Sequence, residues 1–301
     1  MLRRRPPGRS TRTASSQCLL APCVLFDVVD RQVAHDGIGL NQWGNPPGNP
    51  GDFRRSPSGN NGPVAEPMIS HVLLDFFGTM VDYSPSRTGQ GYHVSHALVR
   101  SAGSEVDYSG FLRAWSEECA RFDERSAADD SEFSMEEVAR AFLARLLAAD
   151  PGRALTADFV AAYLREWNAG VVYPPGIGKL IDGLAKRFHL AVVTNTHQAD
   201  LVRGHLAAMG IARHIDAVIT SVEVGWRKPH PAIYAAALGR VGVTPADAVF
   251  VGDTYLADYL GPATAGLRAF LIDPAGQHDI PAARRLRSLA DLPERLGMRL
   301  S

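Results

Sequence analysis

Cysteine, one-sided charge and long apolar runs are all scarce in this chain, and each scarcity closes off a class of protein. Only three cysteines, Cys18, Cys23 and Cys119, occur among 301 residues. Their spacing reads as neither a metal knuckle nor a disulfide framework, so a reducing cytoplasm is the expected home. Basic and acidic residues nearly cancel, 31 against 32, which removes any global electrostatic case for nucleic acid or an anionic membrane as partner. No apolar run reaches the roughly 18 residues that a membrane helix needs, and no internal repeat is visible. With 46% apolar residues the composition is that of a soluble globular protein, long enough for one large domain or two smaller ones. A small-molecule substrate is the expected partner; oligomeric state leaves no signature.

The first 67 residues differ from the rest. They hold nine of the 20 prolines and eight of the 28 glycines, and segments such as Asn45-Pro46-Pro47-Gly48 offer breakers without periodicity. Such a stretch buries too little apolar surface to offset chain entropy, so disorder is expected over residues 1–67. Arg3, Arg4 and Arg5 precede an apolar region from Cys18 to Phe26, but Pro22 interrupts it and no clean cleavage site follows, which weighs against a secretory leader. Met68, immediately before the first strand, is the expected start of the compact protein, with the upstream residues either a wrongly assigned start or a dispensable extension.

From Met68 the pattern is orderly. A strand over Ile69–Leu74 is followed by roughly 90 residues with almost no strand signal, reading as helices over Gly91–Ser101, Tyr108–Arg125, Ser134–Ala149 and Thr156–Gly170. In the second, Phe111, Leu112, Trp115, Cys119 and Phe122 recur at three- and four-residue steps. Ser134 with Glu137 forms a capping box for the third. After Pro174, helices and strands alternate: Ile177–Phe188, Leu190–Thr194, Ala199–Met209, Ala217–Thr220, a helix from Pro231, Ala248–Val251, Leu256–Ala265 and Ala269–Ile272. Repeated βα units imply an α/β fold with a doubly wound parallel sheet. The expected division is a core over 68–83 and 171–301 with an inserted helical module over 84–170.

Polar groups stand where apolar strands stop. Asp75 follows the first strand, Thr194 and Asn195 end a second, Lys228 lies in a proline-held turn, and Asp253 and Asp258 flank a fourth strand-to-helix turn. Taken singly, each has a plain reading as a helix cap, a turn residue or a solvated charge. In an open parallel sheet, however, the carboxyl ends of strands face one crevice. There the order gives an aspartate able to attack an electrophile, donors for an anion, and a carboxylate pair of the kind Mg²⁺ favours. A response-regulator receiver shares some of these groups, but its acidic pair precedes the phospho-acceptor, whereas here the pair comes last.

These residues resemble the motifs of the haloacid dehalogenase superfamily. The first motif reads Asp75-Phe76-Phe77-Gly78-Thr79-Met80-Val81-Asp82, the second Thr194-Asn195, the third Lys228-Pro229, and the fourth Gly252-Asp253-Thr254 through Asp258. The resemblance spans Met68 to about Leu289 and implies a Rossmann-like core with a helical, C1-type cap. By it, Asp75 is the nucleophile, and Thr194 and Lys228 hold the transferred group. Mg²⁺ is held by Asp75, the Phe77 carbonyl and Asp253, with Asp258 outside them or orienting Lys228. Substrate contacts are expected from Thr79, Asn195, Arg87 and Trp226, with hinges at Gly89, Gly91, Gly170 and Pro174-Pro175.

Phe77 departs from the pattern. Phosphatases of this superfamily carry a second aspartate there as general acid and base. Its absence is worth about 10²–10⁴-fold for a poor leaving group. The expected activity is therefore a Mg²⁺-dependent phosphatase whose substrate has a good leaving group or receives a proton from elsewhere, His93 and His96 being candidates. The superfamily's metal-free dehalogenases also place an aromatic here, but lack the carboxylate at Asp253, so carbon–halogen hydrolysis is the alternative. A non-catalytic binding protein is a third.

Overall fold

Valine and leucine at 72–74 are all fully buried, as expected of a strand covered on both faces of a parallel sheet. The computed structural model describes residues 69–83 and 90–298; the expectations for residues 1–67, Met68, Arg87 and Gly89 lie outside these. Strand β1 (His71–Leu74) leads through a turn to β2 (Asp82–Tyr83), which pairs antiparallel with β3 (Val171–Val172). Then come β4 (His189–Thr194), β5 (Ala217–Thr220), β6 (Ala248–Gly252), β7 (Arg268–Ile272) and β8 (Arg285–Leu286). Six of these form one parallel sheet in the order β5-β4-β1-β6-β7-β8. The order reverses beside β1, which makes that point the binding crevice of an open α/β sheet.

Register decides what meets there. Leu74 is level with Val192 of β4 and Val251 of β6. Asp75 therefore leaves the sheet one residue short of the level of Thr194 and Asp253, and all three emerge at the same edge. Alternation along the strands makes two apolar layers. Val72, Leu74, Leu190, Val192, Val249 and Val251 face one side, and Leu73, Ala191, Val193 and Phe250 face the other.

Four helices lie between β2 and β3: α1 (His93–Ser101), α2 (Tyr108–Ser126), α3 (Met135–Leu147) and α4 (Gly152–Asn168). Asp107 caps α2 by accepting from Gly110 N at 2.7 Å. Ser134 and Glu137 make the expected capping box on α3, an arrangement that satisfies two orphan donors at once. The helices meet around Phe111, Trp115, Phe142, Phe159 and Tyr163, all buried, with the Trp115 and Phe142 rings edge-on at 5.0 Å. Such pairs add about 0.5–1.5 kcal/mol beyond the area they bury. Cys119 of α2 is disulfide-bonded, which its spacing in the sequence does not foretell.

The remaining helices flank the sheet: α5 (Ile177–Ala185), α6 (Ala199–Ala208), the single turn α7 (Ser221–Val224) and α8 (Pro231–Val241). Pro231 opens α8 as a first-turn proline should. The stretch expected as one helix over Leu256–Ala265 is instead a π-helical turn, Tyr255–Leu260, followed by a short α-helix, Gly261–Thr264. No helix among the described residues is long and apolar enough to cross a membrane.

Candidate active site

The strand ends deliver a compact charge cluster. Lys228 Nζ donates to Asp75 Oδ1 at 2.6 Å and to Asp258 Oδ1 at 2.7 Å. All three side chains are almost wholly buried. Oxygens of Asp75, Asp253 and Asp258 lie within 4.8 Å of one another, so three carboxylates share one ammonium. Burial opposes the Lys228 charge, but the Asp258 and Asp75 carboxylates outweigh it and hold its pKa above the ordinary lysine value. Burial, with the Asp75 and Asp258 charges, drives the Asp253 carboxyl well above the usual range. Burial also pushes Asp258 up to about 6, with Asp75 adding to it and Lys228 opposing. Crowded carboxylates of this kind are what a divalent cation relieves, and an all-oxygen donor set suits Mg²⁺.

Two glycines permit the crowding. Gly78 sits at φ +84°, and a Cβ there would fall 2.2 Å from Asp253 Oδ2. A Cβ on Gly252 would fall 2.3 Å from the Asp258 carboxyl carbon. Neither distance is possible for a real side chain, so both loops close only with glycine at these positions.

The expected site residues divide into those that face the cleft and those that brace it. Asp75, Phe77, Thr194, Asn195, Lys228 and Asp258 line a tight cleft with about 20 Å³ of free space, room for little more than one water. Tyr83, Thr254 and Ala257 complete its wall. Phe77 is buried, its ring edge-on to Trp167 at 5.4 Å.

Several of the expected residues also make contacts within the protein. The Thr79 hydroxyl reaches Asp75 Oδ2 at 3.3 Å and Asp253 Oδ1 at 3.4 Å. The Asn195 amide is engaged at both ends by the Lys228 backbone, accepting from Lys228 N at 2.7 Å and donating to Lys228 O at 3.0 Å. Its side chain is thus a brace for the lysine. Trp226 does not line the cleft; it stacks on His230 at 4.0 Å and bridges to Ser131. Asp258 has both oxygens engaged, by Lys228 and by Thr254 N at 2.9 Å, which fits orientation of Lys228 better than direct metal ligation. His93 stacks on Tyr108, and His96 Nε2 lies 2.9 Å from Val106 O; neither lines the cleft.

One element had no sequence signal. Glu132, in the loop before α3, is buried against Arg227, His197 and Ser221. Its partners lie 65 to 95 positions away, beyond any local spacing rule.

A family model described as haloacid dehalogenase-like hydrolase matches residues 69–266. The Homo sapiens protein named haloacid dehalogenase-like hydrolase domain-containing protein 3 is 38% identical over 109 residues, 34% of this chain and 43% of that protein. A phosphoserine phosphatase of Thermus thermophilus is 34% identical over 137 residues, 46% of this chain and 55% of that enzyme. The chain spans about half the length of these curated relatives. Among solved structures, the 2-haloacid dehalogenase of Pseudomonas syringae superposes with a TM-score of 0.58 at 25% identity, over 76% of this chain and 99% of that one. A match that runs from the first strand almost to β7 takes in most of the described residues, and it makes this chain a member of the haloacid dehalogenase-like hydrolases, a family of enzymes.

Proposed function

We propose that the chain is a Mg²⁺-dependent phosphatase acting through Asp75 on a small phosphorylated metabolite. The observation that carries this reading is the group of three carboxylates within 4.8 Å beside a single ammonium. A site for neutral carbon–halogen chemistry has no use for Asp253, whereas a phosphoryl site needs a cation seat. The phosphatase name of the Thermus thermophilus relative adds support.

In this mechanism an Asp75 carboxylate oxygen attacks phosphorus, forming a P–O bond as the bond to the leaving group breaks. Lys228 and the Thr194 hydroxyl offset charge on the transferred group in a site shielded from water. Water then attacks the acyl phosphate, giving inorganic phosphate and restoring the Asp75 carboxylate. Asp75, Asp253 and the Phe77 carbonyl would hold Mg²⁺, which supplies electrostatic stabilisation of the phosphoryl oxygens. Phe77 offers the departing group no proton, so aryl or acyl phosphates, whose oxygens leave as weak bases, are the favoured class. The four helices over residues 84–170 act as a cap. They must move for a substrate to enter, because the closed cleft is smaller than a phosphoryl group with its tail.

The second reading is a dehalogenase, favoured by the aromatic wall at Phe77 and by the Pseudomonas syringae structure. One pair of assays separates them. Phosphate released from an aryl phosphate only when Mg²⁺ is present supports the phosphatase. Chloride released from 2-chloropropionate in EDTA, with no phosphate release, overturns it.

A further inference from the structure

The insertion and the core meet at a buried ionic cluster that the reacting groups do not include. The Glu132 carboxylate, 1% exposed, belongs to the loop between α2 and α3. Its Oε1 accepts from Arg227 Nη2 at 2.8 Å and lies 3.0 Å from His197 Nδ1. Its Oε2 accepts from Ser221 Oγ at 2.5 Å. Backbone bonds run alongside: Glu132 N donates to Gly225 O at 3.0 Å, Arg227 N to Asp130 O at 2.9 Å, and Met135 N to His197 O at 2.9 Å. The Phe133 ring stacks on His197 at 4.3 Å and lies under the Arg227 guanidinium.

One carboxylate thus holds two core loops. Arg227 is the neighbour of Lys228 in sequence. Ser221 Oγ, which donates to Glu132, also accepts from Thr196 N at 2.8 Å, two residues after Thr194. The Asn195 amide closes the circuit by binding the Lys228 backbone at both ends. Thr194 and Lys228 are therefore spaced by a network whose centre lies in the insertion.

We propose that Glu132 is a positioning residue: it sets the separation of the Thr194 and Lys228 loops and anchors the α2–α3 end of the insertion to the core. Lifting the anchored end would strand the Arg227 guanidinium without its counter-charge, and a buried charge left unpaired is heavily penalised. The opposite end, where the chain joins the core, is held by the two-residue β2–β3 pairing and by His205, whose Nδ1 lies 2.9 Å from the Tyr173 hydroxyl and whose Nε2 lies 3.2 Å from Asn168 Oδ1. Burial acts against the Glu132 charge, yet His197, Arg227 and Ser221 hold its carboxyl down at about 2.

The inference rests on Asp75, Thr194 and Lys228 being the reacting groups. Its test uses the full chain and Glu132→Gln, which keeps the shape and removes the charge. Hydrogen exchange followed by mass spectrometry reads the loops without any substrate. Peptides over 194–198 and 221–228 should exchange about tenfold faster in the variant, with β2 and β3 unchanged. With p-nitrophenyl phosphate and Mg²⁺, kcat should fall roughly tenfold or more while KM stays within about threefold. Should Glu132→Gln fail to fold, Ser221→Ala removes one strand of the network and is read by the same exchange. Unchanged exchange at both loops in a folded variant would overturn the proposal, as would loosening that begins at β2 and β3. If the unaltered protein releases no phosphate, the phosphatase reading falls, and the exchange pattern still decides the role of Glu132.

Discussion

Lys228 Nζ stands 2.6 Å from Asp75 Oδ1 although 153 positions separate the two residues. The same ammonium reaches Asp258 Oδ1 at 2.7 Å, so one cation bridges two of the three carboxylates. Lys228→Met keeps the stem and removes the charge. Turnover of an aryl phosphate should fall by roughly 10²–10³-fold, the usual loss when one stabilising donor is deleted. Steady-state kinetics on the variant test this; a change below tenfold would show that Lys228 does not face the transferred group.

The carboxylate cluster also makes a thermal prediction. A cation that binds the folded state alone stabilises it by about 2.7 kcal/mol at a hundredfold excess over Kd. The EDTA-treated protein should therefore melt at a lower temperature than the Mg²⁺-loaded one. Asp253→Asn should abolish the difference. Equal melting temperatures with and without Mg²⁺ in the unaltered protein would remove the metal from the mechanism.

At Phe77 two effects oppose one another. An aspartate restores the proton donor that an alkyl phosphate needs, a gain of about 10²–10⁴-fold. The structure adds a penalty, because Phe77 is buried against Phe76, Tyr83 and Trp167. Losing a packed phenyl ring costs roughly 3–5 kcal/mol. Phe77→Asp should thus be distinctly less stable in urea, yet more active than the parent on alkyl phosphates below its own melting temperature. A stable variant with no gain would place the proton donor elsewhere.

Acid should reveal Glu132. Its folded-state pKa of about 2 lies below the ordinary glutamate value of 4.5. A depressed carboxyl contributes stability that is fully present above pH 4.5 and is lost as the pH falls toward 2. The difference amounts to roughly 3 kcal/mol. Urea unfolding across that window should show the parent losing about this much more than Glu132→Gln, whose amide does not titrate. Parallel curves would mean the pairing contributes nothing.

Much of the architecture was readable because the signals are local. Apolar strands that end in Asp75, Thr194 and Asp253 announce themselves within a few residues, and the Ser134–Glu137 cap spans a single turn. Which loops touch is not legible in the same way. Thr79 bonds the Asp75 and Asp253 carboxylates, Asn195 bonds the Lys228 backbone, and Trp226 adjoins Lys228 in sequence while stacking on His230. The β2–β3 ribbon, two residues per strand, is too short for any period to register. Glu132 looks like a surface acid until its distant partners are in place.

That ribbon has an evolutionary consequence. Asp82 lies opposite Val172 and Tyr83 opposite Val171, so the chain departs from the core and returns to it through adjoining doorways. Whatever is threaded between them can be lengthened, shortened or exchanged without disturbing the order of the six parallel strands. The strand ends that carry Asp75, Thr194 and Asp253 would keep their places through such an exchange.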